Sequence, residues 1–367
     1  MLVGLRCLVA WLLLAPFADG VGARPLTLGL VAPPDEPDAT SLLRGVQLAV
    51  ADANETGEES IALEVRSGSG QWGSVGNDAV TLVCERHVDA IITPSDGAAS
   101  HLILQVAGRT RVPVASVCPD SSVTDAGVIW AVCVVPRTDK EAGALFAAAR
   151  RTDGSPLHWW AVVPADRPGR AVRRDLEAAA RRGGTPLDGI VDGGEPKTDL
   201  AALVHMIVAA APGGVLIWLP PARAGTMAAA LRNAGYGGCL AGPSSLDSPE
   251  FFAAAGAAAT GVLATGFRAD TDLQKRAEQF ETQFRRKYDA RPDFSAAAAY
   301  DAARVLIETL RRAGDGTGYR QFPLALPTAG VTGVLHFDNS GNRTDALQVL
   351  TCQQGRFVPL HPTQTLP

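Results

Sequence analysis

Two short polar loops carry the residues of this chain best placed to recognise a small molecule. The first, Pro94-Ser95-Asp96-Gly97, follows the apolar run Ala90-Ile91-Ile92. The second, Cys118-Pro119-Asp120-Ser121-Ser122, follows the run from Val112 to Val117. Each run has the length and composition of a buried strand, and each loop is built of residues that turn the chain. Between them, Ala98 to Arg109 places Leu102, Val106 and, one step round, Leu104 as a half-buried helix would. Loops at the carboxyl ends of parallel strands line the ligand crevice of an open α/β sheet. Two such loops side by side, one of them entering a helix N-terminus, form a platform for a small ligand. Taken alone, Ser95 or Asp96 is equally well accounted for as a helix cap.

Catalytic patterns are missing where they would be needed. A dinucleotide site wants a glycine-rich turn after the first strand, and Leu30-Val31-Ala32-Pro33-Pro34 has none. The sequence contains neither a Walker motif nor HExxH. Gly242-Pro243-Ser244-Ser245-Leu246 lacks the second glycine of a hydrolase elbow. The six histidines are scattered, and His87, His101, His158 and His205 fall in expected helices or strands. The cysteines and histidines lack zinc spacing. The reading is therefore of a binding protein, not an enzyme, with no cofactor and no metal.

The chain has 367 residues, enough for one large or two medium domains. Hydrophobic residues make up 47% and charged residues 19%, a globular balance with material for a full core. The net charge is −5 and no basic stripe runs through the chain, which argues against a nucleic-acid partner. Residues 1–23 read as a signal peptide: Arg6 gives the positive start, Leu8 to Phe17 the apolar stretch, and Val21-Gly22-Ala23 the small residues before a cut near Arg24. The apolar stretch is too short for an ordinary membrane span, so a soluble, exported protein is expected. Five cysteines follow the cut, and export permits disulfides. Cys118 and Cys133 end consecutive expected strands. If those strands are parallel neighbours the two sulfurs share one sheet edge, and a disulfide there would add about 3 kcal/mol. Cys239 with Cys352 is a weaker second pairing.

The elements that must position the loops alternate along the chain. Leu26 to Val31 is a strand, Leu42, Val46, Ala49, Val50 and Ala53 mark a helix, and Ile61 to Val65 is the next strand. After Val128 to Val135 the rhythm restarts, with strands at Trp159–Val163, Gly189–Val191, Val215–Leu219 and Cys239–Ala241 separated by helices. Strands alternating with helices mean parallel, doubly wound sheets. Two long helices follow. Ala277, Phe280, Phe284 and Tyr288 line one face of the first, where Glu281 can pair with Arg285. Phe294, Ala298, Ala302, Val305, Leu306 and Leu310 line the second. A short β-hairpin system ends the chain.

In this order the chain resembles the periplasmic substrate-binding proteins of branched-chain amino acid ABC importers. The segments that carry the resemblance are LTLGLVAP, LLRGVQLAVADAN, VDAIITPSDG, VPVAS, PRTD, AGALF and LRNAGYGG, then FETQFRRKYDARPDFSAAAAYDAARVL and TGVLHFDNSGNRT. The last two are the most specific, and the match spans nearly the whole chain after residue 23. The resemblance implies the type I periplasmic binding fold, an α/β Venus-flytrap of two doubly wound parallel-sheet lobes joined by three crossings. These fall near Val135–Asp139, Thr265–Ala269 and Thr328–Leu335. One lobe would hold residues 24–135 plus 268–330, the other residues 136–267 plus 331–367. The implied role is capture of a small-molecule ligand by a monomer and its delivery to an ABC permease. A sensor or accessory binding protein without transport is one alternative, and binding of an amino acid or amide as in the family is the other.

The family's ligand contacts fall here on different residue types. Gly97 stands at the position of a carboxylate-binding serine, with Ser95 two residues away, and Cys118-Pro119-Asp120 replaces a Ser-Ala-Thr loop. Asp38 replaces an aromatic, Pro168 a closing tyrosine, Pro220 or Pro221 another, and Ser244 the acid that can hold a ligand ammonium. A buried ammonium needs an acidic or carbonyl partner. The expected ligand is thus not leucine, isoleucine or valine. With Asp38, Asp96 and Asp120 near the cleft mouth, a small polar compound, cationic or hydroxyl-rich, is expected instead, or else a loss of high-affinity binding with an interaction role kept.

Overall fold

The computed structural model describes residues 25–34, 36–57, 60–68, 74–151, 153–193, 199–267, 271–313 and 328–360. The expected signal peptide and residues 268–270 of the second crossing lie outside the described residues, as do residues 314–327. Strands β1 (Leu26–Val31), β2 (Ile61–Arg66), β3 (Ala90–Thr93), β4 (Val114–Ser116) and β5 (Ala131–Cys133) form one parallel sheet in the order β2-β1-β3-β4-β5. Helices α1 (Ala39–Thr56), α2 (Ser74–Val80), α3 (Gly97–Thr110) and α4 (Ser121–Asp125) connect them. The sheet is covered on both faces, so its strands are near-continuous apolar runs. Ala90 and Ile92 enter one hydrophobic cluster while Ile91 enters another, because successive side chains point to opposite faces.

A second sheet repeats this winding. After α5 (Thr138–Ala148) come β6 (Trp159–Pro164), α6 (Arg167–Gly183), β7 (Leu187–Gly193), α7 (Leu200–Ala210), β8 (Gly214–Ile217), α8 (Pro221–Asn233), β9 (Cys239–Gly242), α9 (Pro249–Ala255) and β10 (Leu263–Phe267). The parallel part runs β7-β6-β8-β9-β10. In each lobe the second strand lies outside the first and the third lies on its other side. The order therefore reverses at β1/β3 and at β6/β8, and the crevice outside the carboxyl ends of those strands is where such sheets bind ligands.

Helices α10 (Thr271–Tyr288) and α11 (Phe294–Ala313) return to the first lobe. There Phe280, Phe284, Tyr300, Leu306 and Leu310 join the cluster that holds Leu28, Leu30, Leu42 and Val46. Burial of each such side chain contributes about 1.5–3 kcal/mol. Helices α1 and α11 touch backbone to backbone at Gly45, where a β-carbon would collide with the Ala296 carbonyl. Glu281 and Arg285 make the expected pair, at 2.8 Å.

The third passage departs from the sequence reading, which begins the second lobe's share at residue 331. Strands β11 (Thr328–Ala329) and β12 (Val334–Leu335) form a small antiparallel pair, and Val331, Leu335 and Phe337 pack in the first lobe's cluster. The fully buried Asp301 carboxylate holds this stretch through the Val331 N–H (2.7 Å), the Thr332 N–H (2.9 Å) and the Thr332 hydroxyl (2.6 Å). The Cys133 N–H donates to the Gly341 carbonyl at 2.8 Å, which extends the first sheet. Strand β13 (Leu347–Gln353) then joins the second sheet antiparallel to β10, and β14 (Arg356–Pro359) pairs antiparallel with β13 at the sheet's edge.

The expected disulfide between Cys118 and Cys133 is not formed; both thiols are free and buried. Strands β4 and β5 are indeed parallel neighbours, but Cys133 pairs with Ser116. Cys118 lies two residues further on, a diagonal separation beyond the usual reach of a disulfide. The Cys133 thiol donates instead to the Cys118 carbonyl at 3.2 Å. Cys239 and Cys352 are also free, with β10 lying between their strands.

Candidate ligand-binding cleft

The two polar loops end β3 and β4 side by side, and each opens a helix. Asp96 caps α3, its carboxylate accepting the Ala99 N–H at 2.7 Å. Asp120 caps α4, accepting the Ser122 N–H at 2.9 Å and the Ser122 hydroxyl at 2.8 Å. Ser122 Oγ also lies 2.9 Å from His101 Nε2 on α3. Gly97 opens α3 beneath Asp120, and a β-carbon on Gly97 would come within 2.7 Å of Asp120 Oδ2. The glycine thus makes room for that carboxylate, in the place where the resembled family has a serine.

Helix α6 of the second lobe faces these loops. Asp166 caps it through the Gly169 N–H at 3.0 Å. Its residues Arg167, Arg170 and Arg174 are spaced by three and four, so they share one face. Together with Asp96, Gly97, Ala98, His101, Asp120, Ser122, Pro168 and Ala171 they enclose a cavity of about 300 Å³ between the lobes.

Direct bonds cross the cleft beside this cavity. Arg174 Nη2 donates to Asp120 at 2.7 Å and to the Ser121 hydroxyl at 3.1 Å. Asp175, 3% exposed, accepts the Ser121 hydroxyl at 2.8 Å and the Ser121 N–H at 3.3 Å. Burial pushes Asp120 up, but the Ser122 donors and the Arg174 guanidinium more than offset this and hold it below the usual carboxylate range. For Asp175 burial wins over the Ser121 and Arg174 bonds, and its carboxyl is raised. On the other flank Arg291 pairs with Asp247 at 3.2 Å, and the Phe294 N–H donates to the Asp247 carbonyl at 3.1 Å.

Of the residues singled out in the sequence, Asp96, Gly97, Asp120 and Pro168 meet around the cavity. Asp38 and Ser95 meet each other at the start of α1: the Ser95 hydroxyl donates to Asp38 at 3.0 Å, and Ser295 adds a bond at 3.3 Å. Burial raises the Asp38 carboxyl. Pro119 sits at the first crossing, its carbonyl accepting the Thr138 N–H at 3.0 Å. Pro221 is the first residue of α8. Cys118 turns away from the cleft into an apolar cluster with Leu104, Val114 and Val123, and burial pushes its thiol well up. Ser244 is buried, its N–H donating to Glu141 at 2.8 Å. Glu141, 2% exposed, also accepts the Thr265 hydroxyl at 2.5 Å, and burial raises it to about 7.

Sequence reasoning missed His101 and the α6 arginines, while Ser122 belongs to the second polar loop it singled out. The signal for the arginines was present, since helical spacing from Pro168 carries Arg167, Arg170 and Arg174 along one face.

The model of the family described as periplasmic binding protein matches residues 25–346. The fold is also similar to that of solved substrate-binding proteins. The branched-chain amino acid transporter substrate-binding protein LivJ of Streptococcus pneumoniae, in complex with isoleucine, shares 17% identity with a TM-score of 0.77, over 91% of this chain and 98% of that one. The leucine-binding protein LivK of Thermotoga maritima shares 18% at 0.77, over 92% and 98%. An ABC transporter solute-binding protein of Rhodopseudomonas palustris, in complex with benzoate, shares 17% at 0.77, over 92% and 95%. A comparison with curated protein sequences finds no match.

Proposed function

The chain belongs to the periplasmic binding protein family and has its type I fold, and from that premise we propose that it captures a small molecule between its lobes outside the cytoplasm and delivers it to an ABC permease. The observation that carries this reading is the cavity between the β3 and β4 loops and α6, walled by residues of both lobes. A ligand there touches both walls only when the lobes are closed, so binding shifts the population toward the closed form. Capture and release involve no covalent step. Export follows from residues 1–23, and a monomer suffices because one chain supplies both walls.

The ligand is not leucine, isoleucine or valine. The apolar residues around the cavity are Ala98, Pro168 and Ala171, which offer little surface to a branched aliphatic side chain. Small-angle scattering with a panel of amino acids, organic acids and amines tests the capture reading. At least one compound that raises the melting temperature by mass action should also lower the radius of gyration. A bound compound that leaves the radius unchanged refutes the trap. Micromolar affinity for any of the three branched-chain amino acids refutes the ligand assignment.

A further inference from the structure

We propose that the ligand of this cleft is a compact, hydrophilic organic anion whose acidic group is held by Arg167 and Arg170, an inference that rests on the capture reading above. The charges around the cavity are three guanidiniums and two carboxylates, an excess of one positive charge. Both carboxylates already have partners. Asp96 caps α3, and Asp120 is bound by Ser122 and Arg174. The neighbouring arginines of α6 are also committed. Arg173 turns to the Ile190 carbonyl at 3.0 Å and to Asp192 at 2.7 Å, while Arg174 spans to Asp120 and Ser121. Arg167 and Arg170 make no side-chain hydrogen bond or ion pair with the described residues, yet both line the cavity.

With the lobes bridged, both guanidiniums remain exposed and line the cavity without a protein counter-charge. A cationic ligand beside these two charges would meet like-charge repulsion. This runs against the cationic compound expected from Asp38, Asp96 and Asp120 alone. A carboxylate or phosphate group turns that repulsion into attraction. It accepts charge-assisted bonds from a planar donor fork, the geometry that arginine offers and an isolated amide does not. The cavity of about 300 Å³ corresponds to roughly ten waters at about 30 Å³ each. That is room for a dicarboxylate or a small phosphate ester. The small apolar residues Ala98, Pro168 and Ala171 fit a ligand with few carbons.

The test is isothermal titration and small-angle scattering at low salt. The probes are succinate, malate, glycerol phosphate, inorganic phosphate, leucine and putrescine. The expected result is that a carboxylate or phosphate probe binds and compacts the protein, the two chemical series deciding between the groups. Arg167→Ala and Arg170→Ala should each weaken that binding by about 10- to 100-fold, with unchanged circular dichroism and melting temperature because both side chains are exposed. Arg173→Ala, on the same helix but facing away, should bind as the parent does. Compaction by leucine or putrescine with an affinity indifferent to Arg167→Ala and Arg170→Ala overturns the anion assignment and leaves the capture reading standing. Anion binding unaffected by both variants overturns the residue assignment. If no probe of any charge binds or compacts the protein, the anion assignment and the capture reading fall together.

Discussion

Asp175→Ala should open the cleft without unfolding either lobe. Asp175 on α6 accepts the hydroxyl and the N–H of Ser121 on α4, and both residues are buried. The substitution leaves both Ser121 donors without their acceptor in the closed form and removes the Arg174–Asp175 pair within α6, whose half-exposed guanidinium water can satisfy. An unsatisfied buried group costs about 1–3 kcal/mol. When the lobes part, water satisfies the same groups, so the cost falls on closure alone. Taking about 2 kcal/mol, the open–closed equilibrium moves by roughly 30-fold, since 1.4 kcal/mol is tenfold. Scattering from ligand-free Asp175→Ala should give a larger radius of gyration than the parent. Affinity for any ligand that requires closure should fall by a similar factor. Ser121→Ala removes the hydroxyl partner, and the double variant should recover part of the loss, as coupled residues do in a double-mutant cycle. A fall in melting temperature with no change in radius or affinity refutes the reasoning, because it would place the Ser121–Asp175 contact inside one rigid body.

Glu141 should make stability depend on pH. Its carboxyl is raised to about 7 in the folded protein from an ordinary 4.5, so the folded state holds the extra proton between those values. The contribution of this group to stability is therefore full below about pH 4.5 and is lost as pH rises through about 7; Glu141→Gln should flatten the fall, by on the order of 3 kcal/mol between pH 5 and pH 8. A denaturant titration at the two pH values measures it, and an unchanged slope in the variant refutes the assignment. Asp301→Ala removes the acceptor of three bonds in a fully buried place. It should cost at least about 3 kcal/mol, about 10 °C in melting temperature at 2–4 °C per kcal/mol; a shift below a few degrees would contradict the role given to it. Of the five cysteines after residue 23, Cys84 alone is exposed. A thiol reagent should therefore modify one cysteine quickly in the native protein and all five in denaturant without reductant, and two thiols missing in denaturant would reinstate a disulfide.

The sequence by itself determined the lobes and their winding. Apolar runs such as Ala90-Ile91-Ile92 between helical periods permit little except a strand buried on both faces, and their alternation with helices implies a parallel sheet. The same reasoning found the loops ending β3 and β4, because Pro, Ser, Asp and Gly between two apolar periods must turn the chain at the sheet's edge. What a single sequence lacks is the pairing of distant segments. Strand register decided that Cys133 faces Ser116 and not Cys118, a two-residue matter to which local pattern is blind. Packing decided that Val331 to Phe337 stays with the first lobe, since the buried Asp301 that holds it lies 30 residues earlier on another element. The cleft's charge was decided in the same way. Asp96 and Asp120 were legible as acids, but only the closure of α6 onto the β3 and β4 loops sets Arg167, Arg170 and Arg174 opposite them. Local propensity fixes what each segment becomes, while the sign of the field between two lobes is a sum over both walls, which exists only once they face each other.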